Sequence, residues 1–203
     1  MTPIEILMQE HRTIERVINR LVTVADAALD EGRLERQPAL DALEFIRDFA
    51  DGCHHAKEEG HLFALMAERG FSQEQGPLAV MLFEHEQGRA CVRAMTTAVE
   101  AAAAGDRAAV EAFAQAAQAY AELLLGHIQK EDGILYPMAE RALTPADHQA
   151  LAARFAAQEA ADRATGAPQR CLALAEELAS GPVLMTVASG AGSGCHVCCH
   201  HGD

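Results

Sequence analysis

Two stretches of this chain are near copies of each other, and they constrain its fold more than any other feature. His54-His55-Ala56-Lys57-Glu58-Glu59-Gly60-His61-Leu62-Phe63 and His127-Ile128-Gln129-Lys130-Glu131-Asp132-Gly133-Ile134-Leu135-Tyr136 both read H-x-x-K-E-[E/D]-G-x-L-[F/Y]. Each follows a lone His that stands after a Glu. Glu10-His11 lies 43 residues before His54, and Glu84-His85 lies 42 before His127. Self-similarity of this kind bears on the whole architecture. The first two-thirds of the chain read as two copies of one helical hairpin, each carrying H…HxxxE.

Apolar residues recur at helical spacing around these motifs. The first helix has Thr2 as N-cap, Pro3 in its first turn and Glu5 as capping-box partner. Its stripe runs Ile4, Leu7, Met8, Ile14, Ile18, Leu21 and on to Leu29, with His11 inside it, and Gly32 ends it. A second helix begins near Pro38, carries Leu43, Ile46, Ala50, His54, Glu58, Leu62 and Leu65, and stops at Gly70. A third carries Leu78, Leu82, His85, Arg89, Val92, Met95 and Val99. A fourth is capped by Asp106 and carries Val110, Phe113, Ala117, Tyr120, Leu124, His127, Glu131 and Leu135. Long helices joined by short loops predict an all-α, up-down-up-down four-helix bundle. Thr144-Pro145 opens a fifth helix that runs to Thr165-Gly166, and 169–179 reads as a short sixth. The expected organisation is a bundle over 1–143, appended helices packing on it over 144–180, and a Gly/Ser linker with a Cys/His-rich tail over 181–203.

Composition narrows the class. Aromatic content is only 4% while half the residues are apolar, which favours Ala- and Leu-rich helix over sheet. A net charge of −14 argues against nucleic acid and against an anionic membrane surface. No apolar run is long enough to span a membrane. The N-terminal stretch lacks the basic and apolar regions of a secretion leader. A cytoplasmic location with free thiols is therefore the expectation. Cys53, Cys91 and Cys171 sit at scattered helical positions, as small buried hydrophobes do.

The polar residues on the stripes carry the chemistry. A His and a Glu four apart share a helix face, so His54 with Glu58, and His127 with Glu131, point into the core together. His11 and His85 add one imidazole from each of the other helices. Two buried carboxylates facing one another are costly unless compensated. A pair of metal ions bridged by the two Glu is the economical compensation. Imidazole plus carboxylate without thiolate suits Fe, Mn or Zn, and two-metal carboxylate sites in helical bundles hold iron or manganese. Asp132 competes with Glu131 as the last ligand. His55, about 100° round the helix from His54, is expected to point away. His61 reads as a boundary residue, His148 as exposed, and Tyr120 as a core residue or a donor to a bound oxygen species.

The motifs Glu10-His11-Arg12-x-Ile14, His54-His55-x-Lys57-Glu58-Glu59-x-x-Leu62-Phe63, Glu84-His85-Glu86-x-Gly88-Arg89 and His127-Ile128-x-Lys130-Glu131-Asp132-x-x-Leu135-Tyr136-Pro137 resemble the hemerythrin-like, HHE cation-binding family over about residues 3–142. The resemblance implies a bundle around two oxo- or hydroxo-bridged iron ions, with His11, His54, Glu58, His85, His127 and Glu131 as ligands. The respiratory branch has a second His where Arg89 stands, which puts reversible O2 carriage in doubt. Arg89 is instead expected above the metals, pairing with a bridging Glu or drawing an anionic ligand. The functions implied are binding or reduction of O2, H2O2 or NO, as an oxidative-stress oxidoreductase or a binder. Iron sensing or iron–sulfur repair by iron donation, and an iron- or redox-responsive regulatory module, are the alternatives. Cys195-x-x-Cys198-Cys199 with His196, His200 and His201 is a further soft-metal or redox motif. It could take Zn or Fe, or serve a redox or iron-acceptor partner protein.

Overall fold

The computed structural model describes residues 1–180, and the Cys195/Cys198/Cys199 motif with its linker lies outside the described residues. The described chain is all-helical. Helix α1 is Pro3–Glu31. The next helical rod, α2, spans 36–68 and changes pitch along its length. It is α-helical over Arg36–Phe45, π-helical over Ile46–His55, π-helical again over Glu58–Leu62, and α-helical over Phe63–Glu68. Helix α3 is Pro77–Ala103. Rod α4 spans 107–142, with a π-helical turn at Glu131–Leu135 between Arg107–Lys130 and Tyr136–Ala142. Helices α5 (Pro145–Thr165) and α6 (Ala167–Ser180) follow.

The ends of these helices are set locally. Thr2 accepts from the Glu5 amide while the Glu5 side chain accepts from the Thr2 amide, so two otherwise orphan donors are satisfied. Gly32 closes α1 in the left-handed region at φ 69, a conformation that costs glycine nothing. Asp106 caps α4 through the Ala109 amide, and Thr144 with Asp147 forms a second capping box at α5.

The core is in two parts, and this placement makes the site. One apolar cluster holds Ile14, Leu21, Phe45, Phe49, Val92, Phe113 and Leu124. The other holds Leu7, Leu62, Phe63, Met81, Leu135 and Tyr136. Along α1 the chain passes from Leu7 in one cluster to Ile14 in the other, and His11 falls between. In α2 the gap holds His54 and Glu58, in α3 His85, and in α4 His127 and Glu131. A polar belt thus crosses the bundle at one level, walled above and below by apolar side chains that exclude water. Each large aliphatic buried there contributes about 1.5–3 kcal/mol. That burial offsets the cost of holding carboxylates inside.

The added helices join both clusters. Leu151 and Phe155 of α5 pack into one, and Cys171, Ala175 and Leu178 of α6 into the other. Arg69, at the end of α2, forks onto Asp147 at 2.8 and 2.5 Å. Cys53 and Cys171 are buried and Cys91 half-buried, and burial pushes the Cys53 thiol up to about 12. Among the described residues no helix is long and apolar enough to cross a membrane.

Candidate metal centre

His11, His54, Glu58, His85, His127 and Glu131 are all buried, none more than 2% exposed. They fall into two overlapping groups of cation-binding size. One is His11, His54, Glu58 and Glu131; the other is His55, Glu58, His85 and His127. Within each group the donor atoms lie within 4.8 Å of one another. Glu58 belongs to both groups, Glu131 to one.

His55 departs from expectation. It does not point away: it is 5% exposed and stacks on His85 with ring centroids 3.8 Å apart. The reason is local pitch. His55 ends the π-helical segment Ile46–His55, whose wider turn rotates successive side chains by less than the ~100° of an α-helix. His54 and His55 therefore both face inward, His54 toward His11 and His55 toward His85 and His127.

Every one of these imidazoles has its Nδ1 beside a carboxylate. Glu10 takes His54 at 2.9 Å, and Glu84 takes His127 at 2.9 Å. Glu59 takes His85 at 2.7 Å, Asp132 takes His11 at 2.8 Å, and Asp51 takes His55 at 3.3 Å. A carboxylate is an acceptor only, so it fixes the proton on Nδ1 and leaves the Nε2 lone pair facing inward. Lys57 in turn holds Glu10, Lys130 holds Glu84, and Arg12 holds Asp132. Asp132 is thus placed as the partner of His11 and lies outside both groups.

The inward atoms then face one another at close range. His85 Nε2 and His127 Nε2 are 3.0 Å apart. Glu58 Oε2 is 3.6 Å from both His54 Nε2 and His85 Nε2. Glu131 Oε2 is 3.2 Å from His11 Nε2, and Glu131 Oε1 is 3.2 Å from His127 Nε2. Donors bound at about 2.1 Å to one ion sit roughly 3 Å apart, so these spacings suit cations between them. Glu58 Oε2 and both Glu131 oxygens are buried with no hydrogen-bond partner. The ionisation balance agrees. Burial, reinforced by the Glu131 charge, pushes the Glu58 carboxyl well above its usual range. Although burial opposes it, the neighbouring His127 and His11 hold Glu131 well below its own. Burial, with His85 beside it, drives His55 down to about 3. Burial and mutual repulsion thus oppose ionisation of both carboxylates together, which a cation between them would relieve.

Other residues depart from the reading of the sequence. The Tyr136 hydroxyl donates to Glu58 Oε1 at 2.6 Å, and its ring stacks on His11 at 5.5 Å. Tyr120, two turns from His127, is buried but touches neither group's carboxylates through a hydrogen bond. Arg89 pairs with Asp51 and Glu59, both 2.7–2.8 Å away, and with neither Glu58 nor Glu131. His61 bonds Gln158 on α5, and His148 is half-buried. The roles of Glu10, Glu84, Lys57 and Lys130 were signalled by their repetition in both motif copies.

A cavity of about 230 Å³ reaches the second group from the surface. His55 and His85 form its inner end, and Ile46, Gly88, Val92, Tyr120 and Leu124 form its walls.

An all-helical bundle with a buried belt of imidazole and carboxylate defines a metal-binding protein. The chain belongs to the family described as Hemerythrin HHE cation binding domain, which it matches over residues 2–139. Membership carries cation binding, typically of iron, and small ligands at the metal site. The chain is also 26% identical over 160 residues to the uncharacterized proteins Rv1995 and MT2051 of Mycobacterium tuberculosis and Mb2018 of Mycobacterium bovis. That alignment covers 78% of this chain and 62% of each relative, so the chain spans less than two-thirds of their length. No solved structure matches the chain.

Proposed function

We propose that residues 1–143 form an up-down-up-down bundle around two iron ions, and that this centre binds or reduces a small oxidant: O2, H2O2 or NO. One ion is assigned to His11, His54, Glu58 and Glu131, and the other to His55, Glu58, His85 and His127. The observation that carries this reading is the arrangement of Nε2 lone pairs and unpartnered carboxylate oxygens converging on two adjacent points.

When bound, iron would supply reducing equivalents and Lewis acidity for a diatomic or peroxide ligand. The chain's own residues do the rest. The carboxylate behind each imidazole holds its orientation and tautomer. The apolar layers above and below keep bulk water out, which strengthens every charge interaction inside. The Tyr136 hydroxyl keeps a proton beside Glu58 Oε1 and His11, because burial and the Glu131 charge raise its pKa well above the ordinary range. The cavity ending at His55 and His85 gives a small molecule a path to one side of the belt.

The test is metal analysis with visible absorption of the purified protein, followed by mixing the ferrous form with peroxide, NO or O2. About two irons per chain and rapid spectral change with at least one oxidant are expected. Zinc in place of iron, or ferrous protein inert to all three, would overturn the reading.

A further inference from the structure

The cavity beside His55 holds two donors that the metal centre does not use. Tyr120 is 2% exposed, lines the cavity, and its hydroxyl makes no hydrogen bond among the described residues. Burial pushes its phenol far above the usual range, so it stays a donor. The hydroxyl is not sealed off from solvent, so a group bound in the cavity could accept from it. At the rim stand three arginines. Arg89 is taken by Asp51 and Glu59, and Arg93 by Glu86. Arg47 makes no ion pair among the described residues. The lining also includes apolar Ile46, Val92 and Leu124, and the carboxylates of Asp51 and Glu84, which Arg89 and Lys130 neutralise.

We propose that this cavity is a binding site for a small organic monoanion: a hydroxy- or oxo-carboxylate whose carboxylate meets Arg47, whose body lies on the apolar walls, and whose second oxygen accepts from Tyr120. At about 230 Å³ the space falls below the roughly 300–1,000 Å³ of drug-sized sites, which excludes nucleotides. Gly88 shapes it. A Cβ there would lie 3.6 Å from the Tyr120 ring, ordinary contact, so a larger side chain would fill the cavity rather than clash with backbone. The site goes beyond the proposed oxidant chemistry, and its occupancy is read by binding alone.

The experiment titrates the iron-loaded full-length chain with 4-hydroxybenzoate by calorimetry, recording the visible spectrum alongside. Controls are 4-hydroxybenzamide, which lacks the charge, and benzoate, which lacks the second oxygen. One ligand per chain is expected, with the amide at least about tenfold weaker, the loss of one charge-assisted contact. Arg47→Gln, at an exposed position that does not threaten folding, should weaken 4-hydroxybenzoate by a similar factor. Tyr120→Phe should weaken 4-hydroxybenzoate severalfold and leave benzoate unchanged, a split that a merely structural tyrosine would not produce. Gly88→Leu should abolish binding with an unchanged circular-dichroism spectrum. No binding to the wild-type chain would overturn the proposal. So would undiminished binding in both Arg47→Gln and Gly88→Leu, because the carboxylate would then sit on the metal ions or elsewhere.

Discussion

The two copies of the motif stand in the same places and do different things. In both, a Glu one residue before the lone His reaches the first His of the next motif, and the motif's Lys closes on that Glu. In both, a π-helical turn starts at the ligand-spaced Glu. The copies differ at five of their ten positions, and two of these differences reach the metal groups. Where the first has His55 the second has Ile128, and where the first has Phe63 the second has Tyr136. Phe63 stacks near His85 and offers no polar atom, whereas Tyr136 stacks on His11 and donates to Glu58. One group therefore has three imidazoles, a share of Glu58 and a Glu131 oxygen 3.2 Å from His127; the other has two imidazoles, the same two carboxylates and a neighbouring phenol. Duplication supplies a symmetric frame, and two substitutions make its halves chemically unequal.

The largest expected effect tests the two shared carboxylates. Glu58→Ala and Glu131→Ala should each take iron from about two per chain to near none, because Glu58 belongs to both groups and Glu131 reaches His11 with one oxygen and His127 with the other. Metal analysis after gel filtration decides this, and about one iron kept in Glu131→Ala would leave Glu58 as the one bridge. Next, His55→Ile copies the second motif into the first. It should empty only the position of His85 and His127, leaving about one iron and a folded chain; full iron content would remove His55 from the ligand set. The two lysines sharpen the comparison through stability. Lys57 is 2% exposed at its side chain and Lys130 is 39% exposed. Lys57→Met leaves Glu10 buried without its counter-ion and should cost about 3–5 kcal/mol in urea unfolding. Lys130→Met should cost under about 1 kcal/mol, as solvent-screened pairs do. The smallest effect is Tyr136→Phe, which makes the copies alike at that position. It should keep both irons, cost about 1–2 kcal/mol, and alter the iron absorption or its response to peroxide. An unchanged spectrum and response would reduce Tyr136 to a packing residue.

Much of this was legible in the sequence because it depends on periodicity. The caps at Thr2, Asp106 and Thr144, the apolar stripes and the residues interrupting them follow from helix geometry alone. His55 was not legible, because an α-helical wheel turns it away from His54 and only the π-helical segment brings it back. Tyr136 was hidden similarly: the π-helical turn at Glu131–Leu135 resets the phase between it and His127, whereas Tyr120 sits at regular α spacing. The cross-helix partners of the imidazoles were visible as repeats without a role. Nothing local says that Glu10 serves His54 rather than the adjacent His11.

Four of the imidazole–carboxylate bonds follow a circuit. Glu10 of α1 holds His54 of α2, Glu59 of α2 holds His85 of α3, Glu84 of α3 holds His127 of α4, and Asp132 of α4 returns to His11 of α1. Each rod both grips and is gripped, so the loop closes only when all four stand at the right height and in the right order. Sliding any rod by one turn, about 5.4 Å, would break two of these bonds at once, where greasy side chains alone would let it settle into the next groove. The circuit works as a vernier for the bundle: it fixes helix register to within a hydrogen bond, from the middle of the molecule outward.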